Sequence, residues 1–149
     1  MKKIFLLSII LFLSCSKEQK LIYYSYKDVT ITRVDFENEI YFYYGKFENN
    51  NLPSQFVKAT FSGFDGGMGA YLIFEENDKS TEIIPVYDSF IKKGVSDKFI
   101  LNEGMDNIEF NEWREKINGK FNNIVQLSNI IDSEKKWNLE NNSKVNVIY

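Results

Sequence analysis

Few side chains in this sequence can do covalent or acid–base chemistry. Its 149 residues hold one cysteine, Cys15, and no histidine, against 21 acidic and 18 basic side chains. Without histidine, imidazole-dependent triads, histidine-ligated haem and ordinary zinc centres are excluded. Carboxylate pairs, lysine nucleophiles and oxygen-ligated calcium survive that exclusion. Pairs of carboxylates arise in any small acidic domain, so they do not point to glycoside hydrolysis. Glu75-Glu76-Asn77-Asp78 gathers three carboxylates and an amide, but lacks the central glycine and closing glutamate of an EF-hand loop. Gly63-Phe64-Asp65-Gly66-Gly67-Met68-Gly69 is neither a Walker loop nor a dinucleotide fingerprint, because no Gly-Lys-Ser/Thr follows. It reads as a hairpin connection that needs positive φ. No catalytic residue, metal ligand or cofactor is assigned, and the chain is expected not to be an enzyme.

Residues that bind without reacting are more abundant. Tyr23-Tyr24-Ser25-Tyr26 and Tyr41-Phe42-Tyr43-Tyr44 concentrate hydroxylated rings in two strand-like runs. Alternation puts tyrosines on both faces of each strand. Tyr24, Tyr26, Tyr41 and Tyr43 are therefore candidate contacts for a protein or glycan partner. The plainer account is a half-wet sheet face covered by rings with their hydroxyls in solvent. Trp113 and Trp137 read as core anchors. With a net charge of −3 and only Arg33 and Arg114 as arginines, the chain is a poor nucleic-acid binder.

Cys15 stands at the end of an apolar run, Ile4 to Leu13, that follows Lys2 and Lys3. That order, positive then apolar then small, is the layout of a secretory signal. Ten residues of helix span roughly 15 Å, about half the hydrocarbon core of a bilayer, so a permanent spanning helix is not expected. Phe12-Leu13-Ser14-Cys15 resembles the lipobox of bacterial lipoprotein precursors. Ser14 and Cys15 match the pattern, and Phe12 stands where leucine is usual. The resemblance covers only about the first sixteen residues. It implies cleavage before Cys15, a diacylglycerol on its thiol, a further acyl group such as palmitate on its amine, and residence on a bacterial membrane. Ser16 lacks the aspartate that resembles an inner-membrane retention signal, so the outer membrane is the expected site. The organisation that follows is a signal peptide at 1–14, a lipidated cysteine and polar tether at 15–20, and one domain at 21–149. Removing Lys2 and Lys3 with the signal takes the net charge from −3 to −5.

Strand signals dominate that domain, and aromatics make up 16% of the chain. Leu21 to Lys27, Val29 to Phe36, Glu39 to Phe47 and Val57 to Ser62 alternate. A bulge near Arg33 would reconcile Val29 and Ile31 with Val34 and Phe36, which are out of phase. Residues 70–87 read as a hairpin whose Pro85 suggests an edge strand or a bulge. Phe99 to Leu101 is a short strand candidate. One helix is expected near 107–118, from Phe110, Trp113 and Ile117 at helical spacing, with Asn118-Gly119 ending it. Phe121 to Ile131 suits either a helix or a strand. Trp137 and Leu139, a polar turn, then Val145, Val147 and Tyr149 suggest a closing hairpin.

The expected fold is mostly β, an antiparallel sandwich or barrel-like sheet with one short helix, the alternative being a lipocalin-like barrel. The expected function is a membrane-anchored, exported, non-enzymatic binding module. The alternatives are a lipocalin-like carrier of an apolar ligand and a periplasmic inhibitor or immunity-type lipoprotein.

Overall fold

A computed structural model describes residues 19–36, 39–48, 52–59, 69–75, 80–85, 90–93, 97–102, 105, 107–117 and 119–149. The signal segment, Cys15, most of the glycine-rich stretch and positions 76–79 lie outside the described residues. The elements in chain order are β1 (Lys20–Tyr26), β2 (Val29–Phe36), β3 (Glu39–Tyr44), β4 (Phe56–Ala59), β5 (Ala70–Phe74), β6 (Thr81–Pro85), β7 (Phe90–Lys93) and β8 (Phe99–Leu101). Helix α1 (Asn107–Ile117), β9 (Ile124–Leu127), α2 (Ile131–Glu140) and β10 (Asn146–Ile148) complete them.

Two open sheets form a sandwich, which is the mostly β architecture expected. One sheet has the order β10-β1-β2-β3-β4-β7 and the other β8-β6-β5-β9. The lipocalin-like barrel is not the outcome, because the strands divide into two sheets instead of closing on themselves. All pairings are antiparallel except β6 with β8, which run parallel from Thr81↔Phe99 to Ile83↔Leu101. Between those two strands the chain crosses to the other sheet, where β7 pairs with β4. Such a detour is what a parallel pair needs, since no tight hairpin can join parallel strands.

The inner faces bury one continuous core. From the larger sheet come Ile22, Tyr24, Val29, Ile31, Ile40, Phe42, Val57 and Ala59; the smaller sheet sends Ala70, Leu72, Phe74, Ile83, Val125 and Leu127 to meet them. Tyr26 packs its ring 5.9 Å from Phe74, and Tyr44 sits edge-on to Phe99 at 6.1 Å. The outer face of the smaller sheet carries a second cluster, Tyr71, Ile73, Ile84, Phe121 and Ile124, packed by Trp113 and Ile117 of α1 and Trp137 of α2. Every residue of β5 and β9 is therefore buried. Both strands are covered on both faces, which is why Ala70 to Phe74 reads as an unbroken apolar run.

Four expectations need correction, and one reading left open is resolved. No bulge interrupts β2, whose register runs unbroken from Val29↔Tyr26 to Asp35↔Lys20. Alternation continues through Val29, Ile31 and Arg33, so the position that broke the apolar phase is an inward-facing arginine. The ambiguous stretch after Phe121 resolves into a strand, β9, with α2 beginning at its end. Trp137 and Leu139 lie on α2, a second helix, and the closing hairpin does not form. Instead β10 pairs with β1 at the sheet edge, Tyr23↔Ile148 to Ser25↔Asn146. Pro85 marks neither an edge strand nor a bulge: β6 lies between β8 and β5 in unbroken register with β5, and Pro85 ends it past the last parallel pair with β8 at Ile83↔Leu101, where no ladder N–H is missed.

Side chains close the free edge of β9. Gln126 N donates to Asn138 Oδ1 at 3.1 Å, Ser143 Oγ donates to Ile124 O at 2.6 Å, and Ser128 N donates to Glu134 Oε2 at 3.0 Å. Positions 124, 126 and 128 are the ones whose backbone faces away from β5, so α2 and the segment after it do the work of a neighbouring strand. Asn138→Ala would leave the Gln126 N–H buried without an acceptor. The expected loss is about 1–3 kcal/mol of unfolding free energy, read from the urea midpoint; an unchanged midpoint would show that the edge needs no such cover.

Candidate functional site: an aromatic face and a buried ion network

The larger sheet has an outer face that turns away from the core, and its rings lie there in register. Leu21, Tyr23 and Ser25 of β1 stand opposite Val34, Thr32 and Thr30 of β2. Tyr41 and Tyr43 of β3 stand opposite Val34 and Thr32 from the other side, and Tyr41 opposes Lys58 of β4. Phe56 lies edge-on to Tyr41 at 5.4 Å and tilted to Tyr43 at 5.9 Å. Phe47 closes the group, 6.3 Å from Tyr43.

Gly45 makes that last contact attainable. Its φ of +116° swings the chain back at the end of β3, and an ideal Cβ there would lie 2.9 Å from the Phe47 ring. Only glycine fits both conditions. The returned segment is pinned by Tyr23, whose hydroxyl donates to Phe47 O at 2.9 Å, and by Thr32, which donates to Gly45 O at 2.6 Å and accepts from Phe47 N at 3.1 Å. Two lysines cap rings: Lys46 Nζ lies 5.5 Å from the centre of Tyr23, and Lys58 Nζ 5.9 Å from that of Tyr41. Glu39 ties Lys58 and the Tyr41 hydroxyl together. The face thus gathers the half-buried rings of Tyr23, Tyr41, Phe47 and Phe56 around Tyr43, which is buried at 6% exposure, with cations at its border.

The four tyrosines singled out from the sequence do not share this face. Tyr41 and Tyr43 lie on it, joined by Tyr23. Tyr24 and Tyr26 point between the sheets, and Tyr24 has no exposed surface. Parity along β1 and β3 carries the distinction, since Tyr23 and Tyr43 occupy outward positions and Tyr24 an inward one.

Tyr24 belongs to a second assembly that the sequence reading missed. Arg33, Glu134 and Tyr24 are each fully buried, on β2, α2 and β1. Arg33 Nη1 donates to Glu134 Oε2 at 3.0 Å and to Ser128 O at 2.9 Å; its Nε and Nη2 hold the Asp35 carboxylate at 2.6 and 2.9 Å. Tyr24 Oη donates to Glu134 Oε1 at 2.9 Å. The Tyr149 hydroxyl reaches Glu134 as well. Glu134 therefore faces four donors: Arg33, Ser128 N, Tyr24 and Tyr149.

Burial dominates the electrostatics of this network. It pushes the Tyr24 hydroxyl well above its usual range, with Arg33 pulling the other way. It also raises the Glu134 carboxyl, against the pull of Arg33 and the donated hydrogen bonds. Burial works against the charge on Arg33, but Tyr24, Asp35 and Glu134 outweigh it and hold the guanidinium protonated. Chemically the network is closed. Glu134 and Asp35 are separated by the guanidinium they share, and Glu134 has no access to solvent, so this pair does not flank a cleft as two hydrolytic carboxylates would. Its role is to clamp α2 and the β9–α2 junction against β1 and β2.

Among the described residues no three Asp or Glu side chains meet in a group that could hold a metal ion. At the end of β1 an open depression of about 570 Å³ is lined by Gln19, Lys20, Leu21 and Tyr149. No protein-family model matches this chain, and it matches no curated protein and no solved structure. The reading of function therefore stands on the residues themselves.

Proposed function

We propose that this protein is an exported lipoprotein, held on the outer membrane through acylated Cys15, that acts as a non-enzymatic binding module. Its recognition surface is the outer face of the β1–β4 sheet, and its partner is a protein or a glycan. The observation that carries the binding role is the clustering of Tyr23, Tyr41, Tyr43, Phe47 and Phe56 on that one face, bordered by Lys46 and Lys58. Aromatic rings of low conformational entropy are the side chains that interfaces favour. Support for the anchor comes from the sequence around Cys15. Among the described residues no helix is long and apolar enough to cross a membrane.

Cross-linking on intact cells, followed by detergent extraction, tests both halves. The wild-type chain is expected to partition into detergent with acyl label on Cys15 and to bring a partner with it. Cys15→Ser should lose the label and leave the detergent phase; retention of both would refute the anchor. Tyr41→Ser combined with Phe56→Ser should keep the anchor and weaken partner recovery about 5- to 30-fold, the range for a tyrosine at an interface centre. Undiminished recovery would remove the aromatic face as the recognition surface.

A further inference from the structure

The lipid anchor implied at Cys15 lies only five residues before β1, which begins at Lys20. Five residues reach at most about 17 Å when fully extended. Whatever surrounds Lys20 on the folded domain is then confined to the neighbourhood of the membrane surface. The surroundings can be read from the pairing and from the Arg33 network.

Lys20 is opposite Asp35, and Phe36 follows Asp35 at the end of β2 with 39% of its surface exposed. Through Arg33 the same end of the sandwich reaches Ser128, whose hydroxyl accepts from Ile130 N at 3.0 Å. Ile130 is 44% exposed, and it lies at the start of α2. Tyr149 extends β10 toward this end, one residue past the Tyr23↔Ile148 pair, and is 37% exposed. Lys135 Nζ stands 4.5 Å from the centre of its ring. The open depression lined by Gln19, Lys20, Leu21 and Tyr149 is at this end. Phe36, Ile130 and Tyr149 thus all lie toward the Lys20 end of the sandwich, with Lys135 over the Tyr149 ring.

An aromatic, an aliphatic, a tyrosine ring whose hydroxyl is held inward by Glu134 and two long-stemmed lysines are of the kinds of side chain that settle at a membrane–water interface. Rings and aliphatic carbons enter the region between headgroups and acyl chains, and ammonium groups stay among the phosphates. We propose that this end of the domain, through Phe36, Ile130 and Tyr149, rests in the interface of the bilayer that Cys15 anchors, with Lys20 and Lys135 on its phosphates. This rests on the lipoprotein reading and goes beyond it, because it fixes how the domain stands. The sheets then rise from the membrane, and the Lys27-Asp28 turn at the far end of β1 faces away from it.

The test uses the full-length acylated protein in vesicles of phosphatidylethanolamine and phosphatidylglycerol. A nitroxide is attached through Ile130→Cys or, separately, through Asp28→Cys, each beside the native Cys15, and acylation is checked by mass. The ratio of oxygen to nickel-chelate accessibility is expected to be several-fold higher at position 130 than at position 28. A parallel sample carrying Phe36→Asp should lower the ratio at 130 toward the aqueous value. Equal aqueous ratios at 130 and 28 in acylated, vesicle-bound protein overturn the orientation and leave the anchor standing. Absence of the acyl mass overturns the anchor, and the orientation with it.

Discussion

Glu134→Ala is expected to lower the unfolding free energy by about 3–5 kcal/mol, the cost of breaking a buried ion pair from one side. The substitution takes an acceptor from Arg33, the Ser128 N–H, Tyr24 and Tyr149 together. Arg33 keeps Asp35 and the Ser128 carbonyl, so its charge is not wholly orphaned; Tyr24 and Ser128 N are left buried with nothing to donate to. Glu134→Gln should cost less, because its carbonyl can keep two donors while its amide meets a tyrosine oxygen able to accept. Arg33→Met should behave differently with pH. Burial already raises the Glu134 carboxyl and Arg33 opposes it, so removing Arg33 raises it further. The folded state then binds a proton that the unfolded chain, with an ordinary carboxylate, releases. Stability of the variant should therefore be fullest in mild acid and fall as pH rises through the raised value. Urea midpoints across that range check this, and a profile parallel to the wild type would refute it. Replacing both partners at once, Arg33→Met with Glu134→Leu, should recover only the part of the loss that comes from an unpaired buried charge, since Tyr24 and Ser128 N still lack an acceptor.

How much of this was legible in the sequence depended on whether apolar periodicity survived. It did for β1 to β4, where inward and outward residues alternate, and for α1, whose Trp113 and Ile117 face the second cluster. It failed where a polar residue took an inward position. Arg33 continues the inward parity of Val29 and Ile31, yet a charge there reads as a break and suggested a bulge. Parity was itself the available clue: an arginine in step with two core residues demands a buried partner. Helix α2 hid for the same reason. Ile131, Glu134, Trp137 and Asn138 have helical spacing, but two of the four are polar, and Trp137 with Leu139 imitates a strand. Nothing local marks Glu134 as the partner of Arg33, since the two are 101 positions apart and meet only when the sheets stack. On the candidate face, ring content was legible and face membership was not, until the register separated Tyr41 and Tyr43 from Tyr24 and Tyr26.

Alkaline pH should unfold the domain through its buried phenols. The Tyr71 hydroxyl is pushed up to about 12 by burial, against a smaller pull from Arg114. Tyr24 is raised well above its usual range, also by burial first. Both rings are essentially inaccessible, at 1% and 0% exposure. In the unfolded chain each loses its proton near pH 10, the ordinary value for tyrosine. Above that point the unfolded state holds fewer protons than the folded one, so stability falls as pH rises. Each tyrosine contributes a slope of about 1.4 kcal/mol per pH unit. Over two units the pair removes roughly 5 kcal/mol, which is within the whole stability of an ordinary domain. Circular dichroism and phenolate absorbance followed together are therefore expected to change in one cooperative step between about pH 10 and 12. Tyr71→Phe keeps the ring and removes one of the phenols that burial raises, Tyr24, Tyr43 and Tyr149 remaining, so its stability should decline with a shallower slope. If the absorbance rises fully while the β signal stays native, the phenols ionise in place and the linkage fails. If the step is cooperative but Tyr71→Phe leaves its slope unchanged, Tyr71 is not one of the groups that drive it.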